Sequence, residues 1–151
     1  MSFSYETKNE LCRLPVQKLC CARAEAYGIL LYCNTFSATE VRVITENPNF
    51  AERLPKLSRR AFGLSFDRQP DKEQTEGKRI FQITDPRKLN HIINVLGYDP
   101  QQNLVLHINF AFMEEACDQA AFLRGAFFAG GSITDPQKRY HLELTTSHLQ
   151  V

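Results

Sequence analysis

The sequence carries almost no excess charge: 18 Lys+Arg stand against 17 Asp+Glu, a formal net charge of +1. A chain so balanced exerts little long-range pull on a polyanion, so nucleic-acid binding by these residues alone is expected to be weak. No apolar run is long enough for a bilayer. The longest, AYGILLYC from Ala26, falls far short of the roughly 20 residues that a spanning helix needs. The opening residues MSFSYETKNE show neither the basic nor the apolar stretch of a secretory leader. No Cys-x-x-Cys pair, HxxxH or HExxH occurs among the five cysteines and four histidines. Cys20 and Cys21 are neighbours, and on a helix their side chains diverge by about 100°. With Cys12, Cys33 and Cys117 they read as reduced, structural or incidental thiols, with no metal, cofactor or disulfide assigned. His91, His107, His141 and His148 are isolated and read as locally satisfied or solvated. Together these absences point to a cytoplasmic protein without membrane contact.

The chain that remains is ordinary globular material. With 151 residues, 43% of them hydrophobic and 23% charged, it suffices for one domain with a real core. SFSYETKNELCRL reads as a capped helix with few apolar positions, an arm over the main core. A strong helix is expected from about Pro15 to Cys33, with Asn34 as a left-handed terminator. TEVRVITEN alternates like a strand. NPNFAERLPKLSRRAFG opens on Asn47-Pro48 as a helix, and Pro55 inside it predicts a kink or break. Leu64 to Arg68 and Lys78 to Thr84 read as a strand pair around a polar loop. PRKLNHIINVLG follows as a helix capped by Asp85 and closed by Gly97, NLVLHIN as a short strand, Met113 to Ala129 as a final helix and YHLELTT as a last strand.

Within the final helix, AFLRGAFFAGGSI places Gly125 mid-helix, where glycine costs about 1 kcal/mol relative to alanine. An explanation comes from setting CCARAEAYGILLYCNTF beside CDQAAFLRGAFFAGGSI. At an offset of 97, Cys20 falls on Cys117, Ala24 on Ala121 and Gly28 on Gly125. Each helix is then followed by an alternating strand, VRVIT or YHLELTT. The small residues Ala24 and Gly28, and Ala121, Gly125 and Ala129, recur every four positions. Such stripes let helix backbones approach closely. The two helices are therefore expected to pack on each other across a local two-fold axis.

FLRGAFFAGG on a duplicated helix, each copy followed by a strand, resembles the LAGLIDADG motif of homing endonucleases. The opening SFSYETKNEL, the CCARAE helix and CDQAAFLRGAFFAGGSITDPQKRYHLEL narrow the likeness: the whole chain resembles the WhiA family of bacterial sporulation and cell-division regulators. That resemblance implies an α+β fold, an antiparallel sheet with helices on one face. It also implies an N-terminal pair of LAGLIDADG-like repeats ahead of a helix-turn-helix domain that makes most DNA contacts. On that plan residues 1–14 are a helical arm and 15–112 the first repeat. Residues 113–151 begin a second repeat that is cut short before the helix-turn-helix, which implies self-association or a disordered C-terminal end.

In LAGLIDADG nucleases the eighth motif position is an acid that holds divalent metal at the scissile phosphate. Aligning Gly28 and Gly125 with the motif glycine puts Cys33 and Gly130 there; shifting by one gives Asn34 and Gly131. Glu25 and Asp118 lie earlier on the helices and Asp135 beyond in a turn, so no acidic pair is restored. The expectation is a non-catalytic regulatory or scaffold domain of a DNA-binding, nucleoid-associated protein serving sporulation, cell division or chromosome segregation, with a protein partner. Residual metal-dependent cleavage, and small-molecule sensing in the groove between repeats, are the alternatives. Ser132 lacks the G-x-S-x-G elbow, and Gly130-Gly131 closes a helix rather than opening one around phosphate. Arg53, Lys56, Arg59 and Arg60 at helical spacing read as a solvated face, with phosphate contact as the alternative. Arg42, Lys78, Gln82, His107 and His141 can occupy polar strand positions on the sheet face that serves as the DNA saddle in this fold.

Overall fold

The computed structural model describes residues 3–15, 18–71, 77–97, 115–133 and 142–145. At its centre lie α2 (Leu19–Tyr32) and α5 (Ala116–Gly130), which pack on each other more extensively than any other two elements among the described residues. Both are largely apolar, and α5 leaves only an outer stripe of Ala116, Gln119, Ala120 and Leu123 exposed. In α2 every residue from Ala24 to Leu31 is buried. The backbones meet at the two glycines. A Cβ on Gly28 would lie 2.2 Å from the Phe122 carbonyl oxygen, and one on Gly125 would lie 1.9 Å from that of Glu25. The contact is reciprocal: each glycine faces the carbonyl three residues before the other. Positive φ among the described glycines occurs only at Gly63, Gly77 and Gly97, so Gly28 and Gly125 supply space, not unusual backbone. Ala24 and Ala121 are buried in the same seam, Ala129 packs partly buried beside it, and the rings of Tyr27 and Phe122 meet at 5.5 Å.

Each central helix feeds an antiparallel strand pair. After α2 come β1 (Thr35–Phe36) and β2 (Val41–Thr45); after α5 come β4 (Gly131–Ile133) and β5 (Leu142–Leu144). β3 (Arg79–Ile83) extends the first pair into a sheet of order β1-β2-β3, with Val43 opposite Phe81. Its inward residues Val41, Val43, Phe81 and Ile83 join α2 in one core. α3 (Pro48–Phe62) adds Phe50, Leu54, Leu57 and Ala61, and α4 (Pro86–Val95) adds Leu89, Ile92 and Ile93. Local signals set these helices. Asn47 Oδ1 accepts from the Asn49 and Phe50 N–H groups, and Asp85 Oδ1 accepts from Arg87 N–H. Gly63 and Gly97 end α3 and α4 in the left-handed region at φ 70 and 85. The arm α1 (Phe3–Leu11) has no fully buried residue.

Several local expectations change. α2 begins at Leu19, and Asn34 is not left-handed: Cys33 turns extended, and Asn34 Oδ1 accepts the Ile44 N–H, pinning the hairpin to the helix end. α3 runs unbroken through Pro55. The ring costs a hydrogen bond, but apolar residues are buried on both sides of it and hold the two halves in line. Leu64 to Arg68 forms no strand. On the edge of β3 away from β2, only Arg68 bridges, to Gln82. The Asp67 carboxylate instead accepts from Thr84 N–H, Asp85 N–H and Lys88, which holds its pKa down at about 2, the Lys88 bond contributing most. Gly130-Gly131 does close α5, with Gly131 extended and leading into β4. NLVLHIN lies outside the described residues.

Adding one methyl group to a close-packed core costs about 1–3 kcal/mol. At Gly28 and Gly125 the obstacle is backbone that cannot rotate away, so G28A and G125A should each lose at least the upper end of that range in urea denaturation. Leu123, 55% exposed on the same helix, provides the control: L123A should stay within about 0.5 kcal/mol of the parent.

Candidate functional site at the paired helices and the sheet face

At the C-terminal tips of the helix pair, the positions that the LAGLIDADG resemblance assigns to metal-holding acids are closed to one. Cys33 is buried, its Sγ 3.2 Å from both the Leu30 and Thr35 carbonyl oxygens. Burial pushes its thiol up to about 12, so it stays neutral. At Gly130 a Cβ would stand 2.2 Å from the Thr145 carbonyl oxygen and 3.1 Å from Tyr32 Cβ. The shifted register fares no better, because Asn34 is committed to Ile44 and a Cβ on Gly131 would lie 2.3 Å from the Phe127 ring. A hard divalent cation wants carboxylate oxygens, and these residues do not fit one. Asp135 lies outside the described residues.

A carboxylate does lie inside the helix pair, one turn before Gly28. Glu25 is fully buried and receives Arg53 on both oxygens, Nε to Oε2 at 2.8 Å and Nη2 to Oε1 at 2.9 Å. Arg124 of α5 donates to Oε1 as well. The Arg53 guanidinium also donates to the Cys12 and Leu14 carbonyls and stacks 5.7 Å from the Phe128 ring centroid. One network thus ties α2, α3, α5 and the end of the arm together. This corrects the reading of Arg53 as a solvated or phosphate-facing residue; Lys56, Arg59 and Arg60 are exposed. A sequence signal existed. Arg53 falls on the apolar stripe of Phe50, Leu54 and Leu57, and Glu25 is the only acid in the largely apolar α2. Opposite charges on two buried stripes are candidates to meet.

On the outer face of the sheet, Arg42 and Gln82 stand opposite each other across β2 and β3. Both are occupied by Glu40. Arg42 Nη2 is 2.7 Å from Oε2, and Gln82 Nε2 donates to the same carboxylate. These bonds, Arg42 first, hold Glu40 below the usual carboxylate range. Lys78 is exposed at the start of β3. His107 and His141 lie outside the described residues. At the opposite end of the helix pair from the tips, the N-termini of α2 and α5 bring Cys20, Cys21, Cys117 and Asp118 together.

Known proteins resemble this chain in sequence and in fold. A family model described as the WhiA LAGLIDADG-like domain matches residues 119–151. A probable cell division protein WhiA of Ruminiclostridium cellulolyticum is 34% identical over 99% of this chain and 50% of its own length. Its counterpart in Alkaliphilus metalliredigens is 31% identical over 100% and 51%. The chain belongs to the WhiA family. It spans about half the length of these curated WhiA relatives. The fold agrees with the crystal structure of full-length DUF199/WhiA from Thermatoga maritima. The TM-score is 0.63 at 20% identity, with 95% of this chain and 44% of that one covered. The N-terminal LAGLIDADG domain of DUF199/WhiA gives the same score with 66% of its length covered. Among the described residues no helix is long and apolar enough to cross a membrane.

Removing one partner of a buried ion pair strands the other, at about 3–5 kcal/mol. R53M and E25Q should each lose stability on that scale in urea denaturation, against no more than about 0.5 kcal/mol for K56M on the exposed face of the same helix. R53M should also speed proteolytic cleavage near Arg13, because the arm loses the donor that holds the Cys12 and Leu14 carbonyls.

Proposed function

We propose that this chain is a non-catalytic scaffold within a WhiA-type cell division protein, holding DNA-binding or protein-binding elements in register. The observation that carries the reading is the state of the helix tips. Cys33 is a buried neutral thiol, and Gly130 sits where no side chain fits. The family resemblance implies a helix-turn-helix domain for most DNA contacts, and the curated relatives are about twice as long as the region matched here. DNA binding by the whole protein therefore belongs to this proposal.

The sheet face would contribute only a weak, non-specific contact. Arg42 and Lys78 supply positive charge, but Glu40 sits between Arg42 and Gln82 and repels phosphate. Affinity should fall steeply with salt, as counterion release requires. In a salt series E40Q should tighten binding to duplex DNA and R42Q should weaken it; no response to either would remove the sheet face from the proposal. With duplex DNA and magnesium or manganese, the chain should show no cleavage above background. Sustained cleavage lost in C33A would instead establish a working nuclease.

A further inference from the structure

The four donors at the N-terminal end of the helix pair occupy equivalent places. Cys20 and Cys21 are the second and third residues of α2, and Cys117 and Asp118 are the second and third of α5. The offset of 97 that puts Gly28 on Gly125 puts Cys20 on Cys117 and Cys21 on Asp118. The symmetry that seats the glycines therefore also gathers these side chains. The three Sγ atoms and an Asp118 carboxylate oxygen all lie within 4.8 Å of one another. Cys21 Sγ is 3.5 Å and Cys117 Sγ 3.9 Å from Asp118 Oδ1. Sulfurs held about 2.3 Å from one tetrahedral zinc stand roughly 3.8 Å apart, so small rotations would close the shell.

We infer that Cys20, Cys21, Cys117 and Asp118 form a structural site for one thiophilic divalent cation of the zinc class. Three thiolates and one carboxylate are a four-donor set suited to zinc and poor for magnesium. Two helix N-termini point their positive ends at the site, where a negatively charged donor set is favoured. Asp118 is buried, unlike the solvated acids that cluster on surfaces by chance. Cys20 is exposed and gives a path of entry. The charged neighbours are Lys18, Glu25, Arg53 and Arg124, which line the adjoining cavity with Cys21 and Cys117, and Glu115, whose Oε2 is 3.6 Å from Cys117 Sγ. Thiols give up their protons when they bind a metal, so uptake releases protons and weakens as pH falls. The site is separate from the helix tips, which lie about 20 Å further along the helices at 1.5 Å per residue. It would clip α2 to α5 above their glycine crossing, whether or not the sheet face touches DNA.

Neighbours on one helix diverge, but a second helix bringing its own pair completes the set. The test is titration of the reduced, folded chain with Co²⁺ and then Zn²⁺. A single equivalent of Co²⁺ should give a thiolate-to-cobalt charge-transfer band, which Zn²⁺ should abolish. Zn²⁺ should also shield Cys20, Cys21 and Cys117 from alkylation while leaving Cys12 unchanged. C20S alters an exposed position and should fold. With C117S and D118N it should weaken uptake beyond the roughly 10–100-fold that loss of an outer partner costs, and C12S should not. No band from the folded, reduced chain, a band unaltered in C20S and C117S, or an interhelix disulfide forming in place of uptake would each overturn the assignment.

Discussion

The structure depends on one close approach: Gly28 lies on the Phe122 carbonyl and Gly125 on the Glu25 carbonyl. Two helix backbones can come this near only where both lack a side chain at the crossing. Once they do, α2 and α5 are fixed about a pseudo-two-fold axis and the rest of the chain is built outward from them. The strand pairs β1–β2 and β4–β5 leave the same ends of the two helices. The price is a glycine in each helix interior, offset by the apolar surface that the seam removes from water.

The same crossing determines what lies at either end. At the C-terminal tips the space is filled by the turn into β1 and by the end of β5, so Cys33 is sealed and Gly130 abuts Thr145. An acid could not be restored there without moving a strand. Just above the crossing, Glu25 is trapped in the seam and answered by an arginine from each side, Arg53 of α3 and Arg124 of α5. A buried pair of this kind contributes less to net stability than its geometry suggests, because desolvation offsets the attraction. Its stronger effect is on specificity. Any register of α5 that separates Arg124 from Glu25 leaves a charge unanswered.

Features dictated by a few neighbouring residues were legible in the sequence: the Asn47-Pro48 and Asp85-Pro86 helix starts, the Gly63 and Gly97 stops, and the alternation in VRVIT. The duplication was legible too, since a shared offset needs no structure to be counted. Pro55 was misread because tertiary burial on both sides of it outweighs a local penalty. Asn34 was misread because its amide found a partner ten residues ahead, in Ile44. Arg53 and the thiol cluster are long-range facts. Spacing within one helix shows that a charge lies on an apolar stripe or that two cysteines diverge, but not which helix comes to meet them.

The reciprocal seating is tested most directly by a double-mutant cycle between positions 28 and 125. If both glycines serve one crossing, the first added methyl pushes the helices apart, and the second then meets space already opened. G28A/G125A should therefore cost clearly less than the sum of the single variants, with a coupling of about 0.5–3 kcal/mol. Strict additivity would mean that each glycine answers to a different neighbour, and would contradict the shared axis from which the rest of the fold is derived.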